Sequence, residues 1–428
     1  MMSVWILLNP IIMVCALALA MSICSREESA TQFAIYMSVS NLGATAGSFF
    51  YGAVADVTSW QQNYALKGFT VFLLLLAILM YRSHGHPEQL LQDTEAFGLL
   101  VQPWVWLVLR VINGLSVLGL YVVVESWLNE QSTGPARGRL FSLYMTTTLL
   151  ALGAGQFLLL AGDTSDVTLF ALAAILISVG VIPVAVTRVT EPRIEVAVPV
   201  PFAQLLRISP LGVVGTFGAG IINGAFWGMT PLFGQTLALE ERQIALLMSA
   251  TILGGAVLQR PIGHLSDFID RRLMLVLTGS VTAVVAAIAG FIVIEGRPGL
   301  VLSACLYGGL MFSLYGISVA HTSDHLQHGQ VLEATRGLLL TFGLGAVCGP
   351  LLVGLAMKAA GPVGLPAVSA LTAVALALFG IYRMLRRAPP PRAAQSEFVP
   401  LVRTSPVALE MYPEADVAPE LELPKREH

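Results

Sequence analysis

The sequence is short of charge. Asp, Glu, Lys and Arg make up 11% of its 428 residues, where a soluble globular domain carries about 25%. Lysine is nearly missing and occurs only at Lys67, Lys358 and Lys425. So little charge excludes a chain folded around one aqueous core. A net charge of −3 offers no basic surface for nucleic acid. Cysteine is scarce too: Cys15, Cys24, Cys305 and Cys348 all fall in or at the ends of apolar runs. No disulfide framework or paired metal spacing is present, so they read as small packing residues. The sequence has no Ser/His/Asp set, no phosphate-binding loop and no paired catalytic carboxylates. It is not read as an enzyme, and no cofactor is expected.

Hydrophobic residues are abundant instead, at 56% of the chain, with a mean hydropathy of +0.77. A helix needs about 20 apolar residues to cross the hydrocarbon of a bilayer. Runs of that kind lie near 3–24, 33–56, 64–82, 103–127, 139–161, 166–187, 208–233, 243–265, 272–294, 299–320, 334–357 and 363–386. They are too long for strands and lack period-two alternation. The first has no basic flank and is followed by further apolar sequence, so it reads as an uncleaved span rather than a signal peptide. The expected fold is an all-α integral membrane protein of twelve transmembrane helices in two six-helix halves, with the lipid bilayer as its first partner.

The halves would be 1–187 and 208–386. Between them, 188–207 holds Glu191, Pro192, Arg193, Pro199 and Pro201, the composition of a linker. The tail, 387–428, opens with Pro389, Pro390 and Pro391 and has little apolar surface, so it is expected to be disordered. Counting basic residues at the span ends sets orientation. With the N-terminus in the cytoplasm, thirteen of them face that side (Lys67, Arg137, Arg139, Arg188, Arg193, Arg207, Arg260, Arg271, Arg272, Arg336, Arg383, Arg386 and Arg387), against Arg26, Arg82, Arg242, Arg297 and Lys358 opposite. Both termini are then cytoplasmic, although the first three spans taken alone vote the other way.

One charged knot interrupts the second half. Arg260-Pro261-Ile262-Gly263-His264-Leu265-Ser266-Asp267-Phe268-Ile269-Asp270-Arg271-Arg272 joins two long apolar runs. Its Gly263-x-Leu265-x-Asp267 frame repeats Gly52-x-Val54-x-Asp56, and Arg336-Gly337 repeats Arg137-Gly138. The two offsets suggest halves related by an axis along the membrane normal, as in secondary transporters. In the fourth span, Arg110, Gly114, Tyr121 and Glu125 share one helical stripe, with Asn113 beside it. Arg110 and Glu125 are about 22 Å apart along a helix and cannot pair with each other. The stripe reads either as the lining of a transport path or as a set of structural ion-pair partners. Gly345-x-x-x-Gly349-Pro350-x-x-x-Gly354 reads as close helix packing. After the tenth span, His321, Asp324, His325 and His328 would share one face of a continued helix. That face is either a divalent-metal shell or a solvated surface.

The segment Gly263-x-Leu265-x-Asp267-x-x-Asp270-Arg271-Arg272 resembles the cytoplasmic signature of the major facilitator superfamily, with Asp270 where glycine is usual. The resemblance implies a secondary transporter in which Gly263, Asp267, Asp270, Arg271 and Arg272, with Asp56 of the first half, latch the cytoplasmic face. The bland alternative is a charge cluster that only sets orientation. Arg110-x-x-x-Gly114 resembles a second signature, linked in the family to proton coupling or substrate contact. From about 97 to 386, the runs Tyr121–Trp127, Ala136–Leu140 and Gly228–Leu232 are similar to the YcaD-like branch. Residues of about the first hundred, including Ser29–Ala34, resemble muropeptide-permease-like facilitators. Length and hybrid character also resemble magnetosome-associated facilitators. Cargo would be a small solute or a metal ion, coupled or not to protons; the magnetosome likeness implies iron. A bacterial inner membrane, or the magnetosome membrane, is the implied location.

Overall fold

Long runs of Leu, Val, Ala and Gly leave backbone amides in lipid no partners outside their own helix. The computed structural model shows that outcome wherever it describes the chain, at residues 135–161, 172, 175, 176, 201–295, 299–326, 331–386 and 398. The described elements are α1 (Pro135–Gly155) with a 3₁₀ extension (Gln156–Ala161), α2 (Phe202–Ile208), α3 (Pro210–Thr236) and α4 (Glu241–Phe268). They continue with α5 (Arg271–Glu295), α6 (Leu300–Ser323), α7 (Val331–Ala360) and α8 (Gly364–Arg386), the last two joined by a 3₁₀ turn at Gly361–Val363. No strand occurs among the described residues. All but α2 are apolar spans in length and composition, and α7 and α8 form a single apolar stretch, Ala334–Arg386. Each matches a span expected from the sequence, usually running a turn further at one or both ends. At α4 the extension has a visible cause. Glu240 and Gln243 form a reciprocal capping box, with the Glu240 amide donating to Gln243 Oε1 at 2.9 Å. Those polar residues satisfy the first amides before the apolar run begins.

Outside the described residues lie the first four spans, nearly all of the sixth (166–187), the linker over 188–200, and the tail apart from Phe398. The end of the linker is helical. α2 buries Leu205, whose Cδ2 would lie 2.9 Å from a Cβ placed on Gly337 of α7. Phe398, the one described residue of the tail, is buried in the main core cluster.

The helices are arranged inside out relative to a soluble bundle. On α5, Leu277, Val281, Val284, Ile288 and Phe291 form an exposed apolar stripe with helical spacing, and Leu371, Val374, Leu378, Ile381 and Leu385 do the same on α8. Polar side chains turn inward. Thr216, Thr282, Ser313 and Ser318 are fully buried, and each hydroxyl is satisfied by a carbonyl one turn back on its own helix. An apolar exterior over a polar-speckled interior is stable only where the surroundings are themselves apolar. Burial also ranks the helices: 89% of the apolar window of α3 is inside, against 33% for α5. α3 is therefore the central helix and α5 a peripheral one.

Of the helices adjacent in sequence, α3–α4, α4–α5 and α6–α7 touch little, while α5–α6 and α7–α8 pack together. The main packing partners are α3 with α7, α4 with α6, and α5 with α8. Glycine makes the first pairing possible. A Cβ on Gly220 or Gly224 of α3 would run into the backbone of Phe342 or Ala346, and one on Gly345 or Gly349 of α7 into that of Phe217 or Ile221. The motif read as packing in the eleventh span thus faces a second glycine pair four residues apart on α3. The bundle also meets the first half at α1. Ser249 Oγ of α4 donates to the Gly153 carbonyl at 2.7 Å, and Leu253 packs 3.2 Å from a Cβ built on Gly153.

Candidate functional site

The charged knot is where local rules and long-range packing meet. α4 ends at Phe268 because Ile269 turns to extended backbone (φ −111°, ψ 152°), its amide closing the last turn on Leu265 O. Asp270 then caps the next helix. Its Oδ1 accepts the Arg272 amide at 3.0 Å, two positions into α5. The same carboxylate grips the Arg272 guanidinium, with Nη2 to Oδ2 at 2.6 Å and Nε to both oxygens at 3.1 Å. Burial pushes the Asp270 carboxyl up, but the hydrogen bonds and charge of Arg272 outweigh it and hold the group below its ordinary 3.8. The glycine usual in the family at this position could do none of this. The departure has a structural consequence: the turn is clamped.

Arg271 points the other way, into the protein. It is 1% exposed and is among the largest fully buried side chains. Nη1 donates to Asp324 Oδ1 at 3.1 Å and Nη2 to Asp267 Oδ1 at 3.3 Å. The Asp324 side chain is 1% exposed and that of Asp267 20%. One guanidinium thereby joins the last turn of α4, the first turn of α5 and the C-terminal end of α6. Taking these charges out of water is costly, and removing one member of such a set typically costs about 3–5 kcal/mol. Two carboxylates on one cation offset that cost while the set stays intact. Gly263 completes the site. The ring of Phe398 occupies the place where its side chain would be, and the Phe398 amide donates to Asp267 Oδ1 at 2.9 Å.

The face proposed for a metal is not assembled in this way. α6 stops at Ser323 and Asp324 is its C-cap, so the continued helix that would align His321, Asp324, His325 and His328 is not formed. Asp324 is committed to Arg271. His321 and His325 do lie together, ring centroids 4.8 Å apart, with His325 Nδ1 2.8 Å from the His321 carbonyl oxygen. Among the described residues, no group of three His, Cys, Asp or Glu side chains is placed to hold a metal ion. His328 lies outside the described residues, as do Arg110, Asn113, Tyr121, Glu125 and Asp56. The structure therefore brings together Gly263, Asp267, Asp270, Arg271 and Arg272. It adds two residues that sequence reasoning missed in this role, Asp324 and Phe398. A signal existed for Asp324, a lone carboxylate at a span end; none existed for Phe398.

Comparison with known proteins agrees with this geometry. Residues 212–415 match the family model described as Major Facilitator Superfamily, and residues 13–187 match that of Sugar (and other) transporter. The uncharacterized MFS-type transporter YcaD of Escherichia coli is 26% identical over 327 residues, 76% of this chain and 81% of the relative. Among solved structures, the nucleoside transporter NupG superposes with a TM-score of 0.64 at 12% identity, covering 90% of this chain and 100% of that one. A bacterial homologue of the iron transporter ferroportin, in an outward-facing state with soaked iron, gives a TM-score of 0.57 at 12% identity, covering 89% and 98%. The human organic anion transporter MFSD10 gives 0.58 at 13%, covering 89% and 97%. At such identities these structures speak for the fold alone. With the signature loop in place, transporter-family models over both halves and a relative along three quarters of its length, the chain belongs to the major facilitator superfamily of multi-pass membrane transporters.

Proposed function

We propose that the protein is a secondary-active transporter that alternates access between two faces. In this reading the loop around Asp267–Arg272 is its cytoplasmic clasp, and the fourth-span stripe of Arg110, Asn113, Tyr121 and Glu125 lines the path. The observation that supports it most is the buried Arg271 shared by Asp267 and Asp324. Ion pairs at helix ends have discrete partnered arrangements, so helices joined through them can exchange partners as rigid bodies rock. Nothing in such a set performs covalent chemistry.

The cargo in this proposal is a small organic solute moved with protons, across a bacterial inner membrane with both termini cytoplasmic. The test is uptake into proteoliposomes of nucleosides, organic anions and Fe²⁺, each with and without an imposed proton gradient. At least one cargo should accumulate, and Arg110→Ala and Glu125→Ala should abolish that uptake while the protein stays folded. Two other readings have an observation behind them. The adjacent rings of His321 and His325 favour iron as cargo, as the magnetosome-type likeness implies. Uptake of Fe²⁺ unchanged by replacing His321, His325 and His328 together with alanine would remove that role. In the first-half copy of the loop, Asp56 is followed by Val57-Thr58-Ser59-Trp60 without an arginine, which favours a transport-inactive scaffold or sensor. Wild-type protein that moves nothing in the panel would support it.

A further inference from the structure

Phe398 belongs to the tail, yet it is not placed as a tail residue. It is 8% exposed, lies in the same core cluster as Leu314, Ile317 and Leu338, and fills the side of α4 that Gly263 leaves bare. Its amide ends on Asp267, the signature carboxylate, 131 positions away. Two independent features thus read the same residue: a notch that admits an aromatic ring because no Cβ occupies it, and an acceptor oxygen aimed at the backbone beside that ring. The sequence agrees with an anchor, since Phe398 is the only phenylalanine after Arg386. The chain can reach. α8 runs antiparallel to α5, with a Gly380 Cβ position touching Val276 and that of Gly290 beside Pro366, so its C-terminal end lies near Arg271. The twelve residues from Arg386 to Phe398 span up to about 40 Å when extended.

We propose that the Gly263–Asp267 notch is a docking site for this chain's own C-terminal segment, anchored by Phe398, and that the docked segment restrains the signature loop. The restraint rests on the clasp reading given above; the docking does not. With the segment seated, Asp267 Oδ1 serves Arg271 and the Phe398 amide together. The loop cannot change its ion-pair partners without releasing the tail. Docking is therefore a brake on the conformational cycle, and a factor that pulls the segment away would lift it.

Hydrogen exchange read by mass spectrometry on the purified full-length protein tests the docking directly. The peptide containing Phe398 should exchange more slowly in wild type than in Phe398→Ala or Gly263→Ala. The difference should be about tenfold or more, since burial of a phenylalanine side chain and one amide hydrogen bond are both lost. Gly263→Ala acts by placing a methyl group in the ring's position, and Phe398→Ala leaves the helices untouched, so a folding defect in the former does not empty the test. Combining the two should add nothing to either alone. Equal exchange in wild type and both variants overturns the docking. Exchange accelerated in both, with uptake of a transported cargo faster than wild type, supports docking and restraint together. Accelerated exchange with unchanged or slower uptake overturns the restraint. If wild type moves no cargo yet protects Phe398, the transporter reading fails, the restraint fails with it, and the docking site stands.

Discussion

Arg271 and Asp324 lie 53 positions apart in the sequence and meet at 3.1 Å, both side chains 1% exposed. This pair ties the first turn of α5 to the end of α6, and through Asp267 to the last turn of α4. One guanidinium here holds three consecutive helices in register: α4 and α6, which pack on each other, and α5, which packs mainly on α8.

Arg271→Ala should therefore lower the thermal stability of the protein in detergent far more than a surface substitution. Two carboxylates, that of Asp324 fully buried and that of Asp267 partly, lose their cation, a loss of about 3–5 kcal/mol. Arg271→Lys should recover only part of it, because an ammonium lacks the fork that serves two acceptors. Melting curves of Arg271→Ala that overlay those of wild type would show that the buried set contributes nothing.

Asp270→Gly, which restores the residue usual in the family, should loosen the start of α5 by a few tenths of a kcal/mol for the lost cap, with up to about 1 kcal/mol more for the lost Arg272 pair. The pH dependence has a fixed sign. The folded-state pKa of Asp270 is below its ordinary 3.8, so its stabilisation is complete above that value and fades as pH falls through the lower folded one. The melting difference between wild type and Asp270→Gly should be constant from pH 7 to about pH 5 and shrink toward pH 3. A difference that grew on acidification would contradict the clamp.

Gly349→Ala should separate α3 from α7. A methyl group there meets backbone atoms, with Ala225 N at 2.7 Å and Gly224 C at 3.2 Å, and backbone cannot give way as a side chain tip can. Overpacking of this kind costs about 1–3 kcal/mol. Gly218→Ala is the control, since its nearest neighbour would be a methyl carbon of Thr372 at 3.7 Å. Expression and monodispersity should fall for the first variant and not for the second.

Asp267→Asn should damage transport more than Asp56→Asn. Asp267 holds Arg271, whereas the sequence after Asp56 offers no arginine to hold. Uptake rates in proteoliposomes decide this, and equal losses would argue against an asymmetric clasp.

Much of this was legible in order along the chain. Apolar runs bounded by charge gave the spans, because helix formation in lipid depends on composition over about 20 residues and little else. The knot at Arg260–Arg272 was found for the same reason, since a cluster of charge between two such runs has few other uses. The alignment of His321, Asp324, His325 and His328 on one face assumed that the helix continues past Ser323, and α6 ends there. Its end at Ser323 is decided by Asp324 turning to Arg271, an interaction that periodicity does not encode. Asp270 was seen as a departure, but its double grip on Arg272 emerged only from geometry.

The sequence by itself determined that the chain is helical, built of apolar spans and interrupted in its second half by one charged knot, since these follow from residue type and local spacing. Only the tertiary structure decided which charges meet, which glycines let α3 and α7 touch, and that Phe398 returns to Gly263. Each of those depends on groups brought together across tens of residues or more, where burial raises the stakes of pairing and shape decides the partner.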